Sequence, residues 1–485
     1  MNYRMVVFVL GRIFLVEAAM LLLPMTCSAI YGEWYMLPAF LLPAVILLLL
    51  GLAASLRTPK NTTIYARDGL AIVALVWVLM SAFGALPFVI SGEIPAFADA
   101  FFEMVSGFTT TGSTILNDVE ALSRGALFWR SFSHWVGGMG VLVFAMAVLP
   151  MTDGRAMHLM RAEVPGPTCG KLSSKLSDSA KILYGIYFAM TALEVVFLCA
   201  GGMSLYESLI HSFGTAGTGG FSNRGLSIGA YQNPYFEWVI GIFMLLFGVN
   251  FNLYYFILMR HFREAFGSEE LRAYLGIVLF STVTIAANIL SMVGSVGEAV
   301  RTAFFQVSSI ITTTGYATAD FNLWPTYSRI LLLVLMFVGG CAGSTAGGLK
   351  VSRVIIFFKA ARQDLNKMLH THAVTAIRFE GKPLDEKTLQ GVHNYFNVYM
   401  LLIMLSTVLV SLDGFDMITT FTAVITCLNN VGPGMELVGP MGNFSQFSAP
   451  VKYLLSFDML AGRLELYPML AMFAPRLWRS RRTMR

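Results

Sequence analysis

The sequence predicts an all-α membrane protein: four pseudo-fourfold membrane-pore-membrane repeats around a central ion pore, preceded by two N-terminal transmembrane helices. Three observations carry this. Hydrophobic residues make up 56% of the 485 residues and charged residues only 13%, with a mean hydropathy of +0.68, where a soluble domain carries about 25% charge. Apolar runs recur at 41–56, 70–90, 240–251, 330–338 and 395–412, several near the roughly 20 residues that cross a bilayer as helix. Four short strips also interrupt the hydrophobic pattern: Thr110-Thr111-Gly112-Ser113, Thr218-Gly219-Gly220-Phe221, Thr313-Thr314-Gly315-Tyr316 and Asn430-Val431-Gly432-Pro433-Gly434. Their spacing, on the order of 100 residues, argues for duplication of one unit.

The elements follow in order. Two leading helices are expected at about 5–27 and 36–57. The first apolar stretch, 6–25, has no small-residue cleavage site followed by a soluble body, so it reads as a retained helix. Each repeat then comprises a spanning helix, a half-length helix, a strip and a second spanning helix. The copies run about 69–150, 179–260, 272–360 and 391–476, with strips at 109–114, 215–222, 312–318 and 429–434. As domains this gives 1–65 for the two-helix region, then 66–160, 161–262, 263–375 with an intramembrane gating loop, and 376–485 with the C-terminal tail. The half-length helices (97–109, 206–217, 300–312, 417–428) are too short to span and suit re-entrant segments. Irregular backbone at membrane depth is tolerated only where it lines water or is buried in protein. The strips should therefore line a cavity, with the partly negative C-terminal ends of the half-helices facing it.

Charge orients the chain. Basic residues cluster in alternate loops: Arg57, Lys60 and Arg67; Arg155, Arg161, Lys171 and Lys175; Arg260, Arg263 and Arg272; Arg353 to Lys387; and the tail with Arg476, Arg479, Arg481, Arg482 and Arg485. The other loops hold few, notably Arg124, Arg224, Arg301 and Lys452. The positive-inside rule places the rich set and both termini in the cytoplasm. The strips then face outward beside Glu93, Asp99, Glu103, Asp118, Glu120, Glu207, Asp320, Asp413, Asp416 and Glu436, an acidic mouth that would concentrate cations. The net charge of +5 is distributed loop by loop and is no signal for nucleic acid. Five scattered cysteines without a CxxC pair make a disulfide framework or zinc site unlikely by spacing. The stretch Gly166-Pro167-Thr168-Cys169-Gly170-Lys171-Leu172 falls one residue short of a phosphate-binding loop. His134, His211, His370, His372 and His393 show no ligand spacing. No nucleophile–base or metal motif points to an enzyme.

The strips suit a cation. A dehydrated ion needs oxygens in place of its water, and backbone carbonyls supply them where glycine permits the unusual dihedrals. The strips hold no Asp or Glu, which leaves carbonyl dipoles as the selecting groups. The expected donors are Thr110, Thr111, Gly112, Thr218, Gly219, Gly220, Thr313, Thr314, Gly315, Asn430, Val431 and Gly432. The fourth strip comes nearest to the Thr-Val-Gly-Tyr-Gly strip of potassium channels. After the third strip, Gly339, Gly340, Gly343, Ser344, Thr345, Gly347, Gly348 and Lys350 break up a spanning helix. Each glycine weakens a helix by about 1 kcal/mol, so a movable loop beneath the strips, able to open or block the path, is expected. Arg463 sits within the last apolar segment, where a buried cation is costly and usually functional. It would raise the barrier to ion passage or pair with the loop's carbonyls. The neighbouring acids Asp458 and Glu465 are poorly spaced to pair with it.

These residues resemble the TrkH/KtrB group of the Trk/Ktr/HKT potassium transporter superfamily. The resemblance rests on Trp135-Val136-Gly137-Gly138-Met139-Gly140, Arg161-Ala162-Glu163-Val164-Pro165-Gly166-Pro167, Phe251-Asn252-Leu253-Tyr254-Tyr255, Ala342-Gly343-Ser344-Thr345-Ala346-Gly347-Gly348-Leu349-Lys350, Cys427-Leu428-Asn429-Asn430-Val431-Gly432-Pro433-Gly434 and Gly462-Arg463-Leu464-Glu465. It implies K⁺ uptake across a bacterial inner membrane, with K⁺ as substrate and no covalent cofactor. It also implies a homodimer with separate pores and a cytoplasmic TrkA-like nucleotide-binding regulatory subunit. The third-repeat loop would be the gate and Arg463 the pore arginine. Glycine in all four strips would favour K⁺, since a serine at the position of Gly112 accompanies Na⁺ transport in some plant relatives. Symport of K⁺ with H⁺ or Na⁺ is the alternative. Two departures are expected to show structurally: Pro468 should kink the last helix, and Gly214 with Gly217 should loosen the second half-helix.

Overall fold

In the computed structural model, residues 1–56, 58–61, 64–140, 176–370 and 376–478 are described. Arg57, residues 141–175 with the Gly166–Leu172 stretch and Cys169, His372, and the tail from Arg479 lie outside the described residues.

Helices form where the apolar runs predict them. Six are long and apolar enough to cross a membrane among the described residues: 3–30, 34–55, Ala66–Ser91, Lys181–Ala200, Glu269–Val293 and 386–413. The two N-terminal helices cross closely because small residues meet: a Cβ on Gly11 would sit 2.6 Å from that of Ala54, and one on Gly51 2.8 Å from the Gly11 carbonyl. This is the small-residue packing that membrane helices favour. Their outer faces expose Leu41, Leu42, Leu48 and Leu49, as lipid contact requires.

The half-helices are Phe97–Phe108, Leu205–Gly217, Val296–Ile311 and Met417–Asn429, close to expectation. The second begins at the cap Ser204 and the fourth at Asp416, whose carboxylate accepts from the Ile418 and Thr419 amides at 2.9 Å. Among the described residues the second helices are not continuous spans. Arg124–Gly138 has only 15 residues. Pro234–Phe247 and Phe251–Leu258 meet at a 91° bend. Thr326–Val338 gives way to residues 339–350 before Val351–Leu369. Ala449–Arg463 stops at Glu465 and Leu466, both left-handed (φ 59° and 66°). The sequence flagged the third break and, in the last helix, a kink at Pro468. Pro468 does not kink a continuous helix: it lies in the first turn of the new helix Tyr467–Met472, where a missing N–H costs nothing.

Candidate functional site

All four half-helices end alike. The residue just past the end is left-handed: Thr110 (φ 55°), Thr218 (56°), Thr313 (56°) and Asn430 (55°). Its amide bonds back three residues, to Gly107, Thr215, Ile310 and Cys427. The next amide bonds back five, from Thr111, Gly219, Thr314 and Val431 to Ser106, Gly214, Ser309 and Thr426 at 2.8–2.9 Å. This is a Schellman closure written four times. Two residues beyond each left-handed residue comes a positive-φ glycine: Gly112 (82°), Gly220 (78°), Gly315 (84°) and Gly432 (102°). The sign of φ thus alternates along each strip, as a row of carbonyls turned to one side demands.

The strips close on one another in sequence order. A Cβ on Gly112 would collide with the Gly219 carbonyl, one on Gly220 with that of Thr314, and one on Gly315 with that of Val431. One on Gly432 would reach 2.8 Å from the Thr111 oxygen, which returns the contact to the first strip. Each glycine therefore leaves room for a carbonyl of a neighbouring strip, and backbone cannot swing aside as a side chain can. Of the twelve strip residues named from the sequence, Thr111, Gly112, Gly219, Gly220, Thr314, Gly315, Val431 and Gly432 make these contacts.

The ring is braced from outside. Tyr316 donates to the carbonyls of His211 (2.9 Å) and Phe221 (3.3 Å), and its hydroxyl fills the space a Cβ on Gly214 would need. Gly217 likewise lies against the His134 backbone. The glycines that were expected to loosen the second half-helix instead let neighbours pack tightly. His134 bonds the Gly107 carbonyl at 2.7 Å and its ring lies against Gly219. Asn430 Nδ2 donates to Thr111 Oγ1 and the Met459 carbonyl, both at 2.9 Å.

Directly below lies the loop 339–350, with Gly339, Gly343, Gly348 and Lys350 left-handed. Its Gly347 amide donates to Thr313 Oγ1 at 2.6 Å, so loop and strip touch. Cys341 donates to the Gly248 carbonyl (2.9 Å) and Thr345 Oγ1 to that of Phe247 (3.2 Å), while Phe251 N returns a bond to Gly343 O (3.0 Å). The bend in the second repeat is thus where this loop is received. Ser344 bonds the Cys341 carbonyl, and Gly340 packs against Ala346. Arg463 donates to the carbonyls of Thr345 (2.8 Å), Gly138 (2.7 Å) and Gly137 (2.5 Å). Gly137 and Gly138 end a helix, whose C-terminal carbonyls carry partial negative charge. Lys350 donates to the Ala346 carbonyl. Both expected cations therefore hold loop carbonyls, and the nearby acids are taken elsewhere: Glu465 by Arg353, Asp458 by Ser406 (2.8 Å).

Three features escaped sequence reasoning. Glu270 accepts from the Ala342 and Ser352 amides (2.8 and 2.9 Å), tying both flanks of the loop; in sequence it is an ordinary first-turn acid. The buried pair Arg130–Glu103 (2.7 Å) was missed as well: Glu103, expected among the acids of the outer mouth, is fully buried. The outer acids are also less free than expected: Asp99, Glu207 and Glu436 are paired with Lys452, Arg224 and Arg329. Among the described residues no cluster of His, Cys, Asp or Glu could hold a metal.

Four re-entrant units closing one ring inside a helical bundle define a multi-pass membrane transporter of pore-loop architecture. The chain belongs to the TrkH family of cation transport proteins, whose profile matches residues 37–480, and so to a family of transporters, not enzymes. The Escherichia coli K12 Trk system potassium uptake protein TrkH is 38% identical over 422 residues, 86% of each chain. TrkG of that organism is 33% identical over 485 residues, 99% of each. The crystal structure of the potassium transporter TrkH from Vibrio parahaemolyticus superposes with a TM-score of 0.88 at 30% identity, covering 99% of this chain and 100% of that one.

Proposed function

We propose that this chain carries out selective K⁺ uptake across a bacterial inner membrane, by channel-like permeation through the ring. The observation that carries the reading is the cyclic contact of the four strips, glycine to carbonyl, from one chain. Carbonyls of Thr110, Thr111, Gly112 and their counterparts in the other strips replace the hydration shell of the ion, which is this protein's substrate. The identity of the relatives as Trk system potassium uptake proteins supports the choice of ion.

Below the ring the loop 339–350 and Arg463 act as the gate. A fixed guanidinium on the ion's path repels a cation, and carbonyls engaged by Arg463 and Lys350 are withheld from it. Opening requires the loop to exchange these bonds for others, a conformational step of the kind that sets many turnover rates. A TrkA-like regulatory subunit on the cytoplasmic face, acting on a homodimer, would drive that exchange. Inward flow needs no coupling ion: the membrane potential contributes about 2.3 kcal/mol per charge per 100 mV.

The test is uptake of radioactive rubidium and sodium by liposomes holding the purified chain, with and without Gly315→Ser. Wild type should favour rubidium strongly, and the serine, whose Cβ meets the Val431 carbonyl, should erode the preference. Equal uptake of both ions by wild type, unmoved by the substitution, would sink the reading. Single-channel currents beyond about 10³ ions per second, above usual turnover numbers, separate permeation from symport with H⁺ or Na⁺.

A further inference from the structure

Behind each strip, a side chain of the half-helix reaches the segment that leaves the ring. Glu103, His211 and Gln306 each stand nine residues before their strip's glycine (Gly112, Gly220, Gly315). Glu103 accepts from Thr114 Oγ1 (2.9 Å) and the Ile115 amide (2.9 Å). His211 Nε2 meets Ser222 Oγ at 3.0 Å, and Gln306 Nε2 donates to Thr318 Oγ1 at 3.4 Å. In the fourth repeat Thr422 Oγ1 accepts from Met435 N at 3.0 Å. One brace recurs in four chemistries, and only the first carries a formal charge pair. There Arg130, 1% exposed, donates Nε to Glu103 Oε1 at 2.7 Å. It also reaches Thr114 Oγ1 and, across the repeat boundary, the Ser222 carbonyl, each at 3.3 Å. Its guanidinium carbon lies 3.7 Å from the centre of the Phe221 ring. One cation thus grips the outer ends of strips one and two together.

We infer that Arg130 and Glu103 are positioning residues for ion selection, fixing the separation of the first two strips from behind the ring. Neither touches the ion. A buried charge pair is a poor device for stability alone, since well-packed apolar residues often do as well or better. Its charge-assisted, directional bonds are suited to holding a geometry, and a coordinating ring discriminates only as well as its supporting contacts hold it. Repeats two and three place His211 and Gln306 at this position, and the fourth uses Thr422, ten residues before Gly432; none of them forms a formal charge pair there. The asymmetry places the stiffest brace between strips one and two, where Gly112 meets the Gly219 carbonyl.

This inference rests on the reading of the ring as a K⁺-selective pore, and the experiment separates the two. Rubidium and sodium uptake are measured for the full chain in liposomes, for wild type, Glu103→Gln, Arg130→Gln and the double variant. Thr114→Val, a smaller change that removes one hydroxyl from the cluster, is included in case the charge variants fail to fold. The single charge variants should lower the rubidium-to-sodium ratio about tenfold, or ~1.4 kcal/mol of discrimination, and Thr114→Val should lower it by a smaller factor. The double variant should do no worse than either single one, because no charge is left uncompensated. A merely structural role would lower uptake of both ions together. Folded variants with the wild-type ratio would overturn the inference, as would an unchanged ratio in Thr114→Val when the others do not fold. Wild type without rubidium preference would instead overturn the pore reading beneath it.

Discussion

Thr110, Thr218 and Thr313 hold left-handed dihedrals that β-branched residues avoid, at a cost on the order of 1–3 kcal/mol each. That strain sits where each half-helix hands over to the ring, and the Schellman bonds that impose it are backbone bonds. Glycines differ sharply in what they tolerate. Gly220→Ala drives a Cβ into the Thr314 carbonyl, whereas Gly225 has nothing within 4 Å of its Cβ position. Rubidium uptake into liposomes should fall at least about tenfold for the first, a loss of ~1.4 kcal/mol, and stay at wild type for Gly225→Ala. Arg463→Gln removes a charge but keeps a donor, so uptake without any regulatory subunit should rise several-fold, read as a faster initial rate. The strip residues were legible because glycine and threonine mark unusual backbone by residue type. The Arg130–Glu103 pair was not, because its members lie on separate helices and only the fold brings them together.

The loop 339–350 announced itself through glycine density. Its anchor did not. Glu270 opens the helix Glu269–Val293 and looks like any acid in a first helical turn, yet it accepts from the amides on both flanks of the loop. Glu270→Ala should loosen the loop while leaving the ring intact. Faster hydrogen exchange confined to 339–352, with an unchanged rubidium-to-sodium ratio, is the expected result; exchange spreading to the strips would contradict it. The break after Arg463 was misread as a proline kink because left-handed Glu465 and Leu466 carry no sequence signal. The cap role of Asp416 was likewise missed, the residue being expected only among the acids of the outer mouth. Asp416 begins the fourth half-helix, and hydrogen bonds from the Thr419 hydroxyl and the nearby amides hold its carboxyl below the usual carboxylate range. A depressed folded-state value stabilises the protein above the unfolded value of about 3.9, and that contribution is lost as pH falls through the lower folded value. Asp416→Ala should therefore lower the melting temperature at neutral pH, by a cap worth about 1 kcal/mol, and make little difference under strongly acidic conditions.

Across the molecule, hydropathy and the repeat period disclosed the architecture because both are written along the chain. The order in which strips touch, first to second to third to fourth and back, emerges only when the chain folds. So does the pairing of Asp99, Glu207 and Glu436 with basic partners, which leaves the outer face less acidic than its composition suggests. Electrostatic steering should accordingly be weak: raising ionic strength with impermeant salt should change the initial rubidium uptake rate by less than about twofold, where a strongly focused field gives tenfold or more. Because one polypeptide supplies all four quadrants, a substitution in any strip is felt once, not multiplied by symmetry as in an assembly of identical chains. The quadrants already differ, as Thr-Thr-Gly, Thr-Gly-Gly, Thr-Thr-Gly and Asn-Val-Gly. Four unlike quadrants in one chain thus form a dial with quarter-turn graduations, on which ion preference can drift by small steps without any single mutation dismantling the whole.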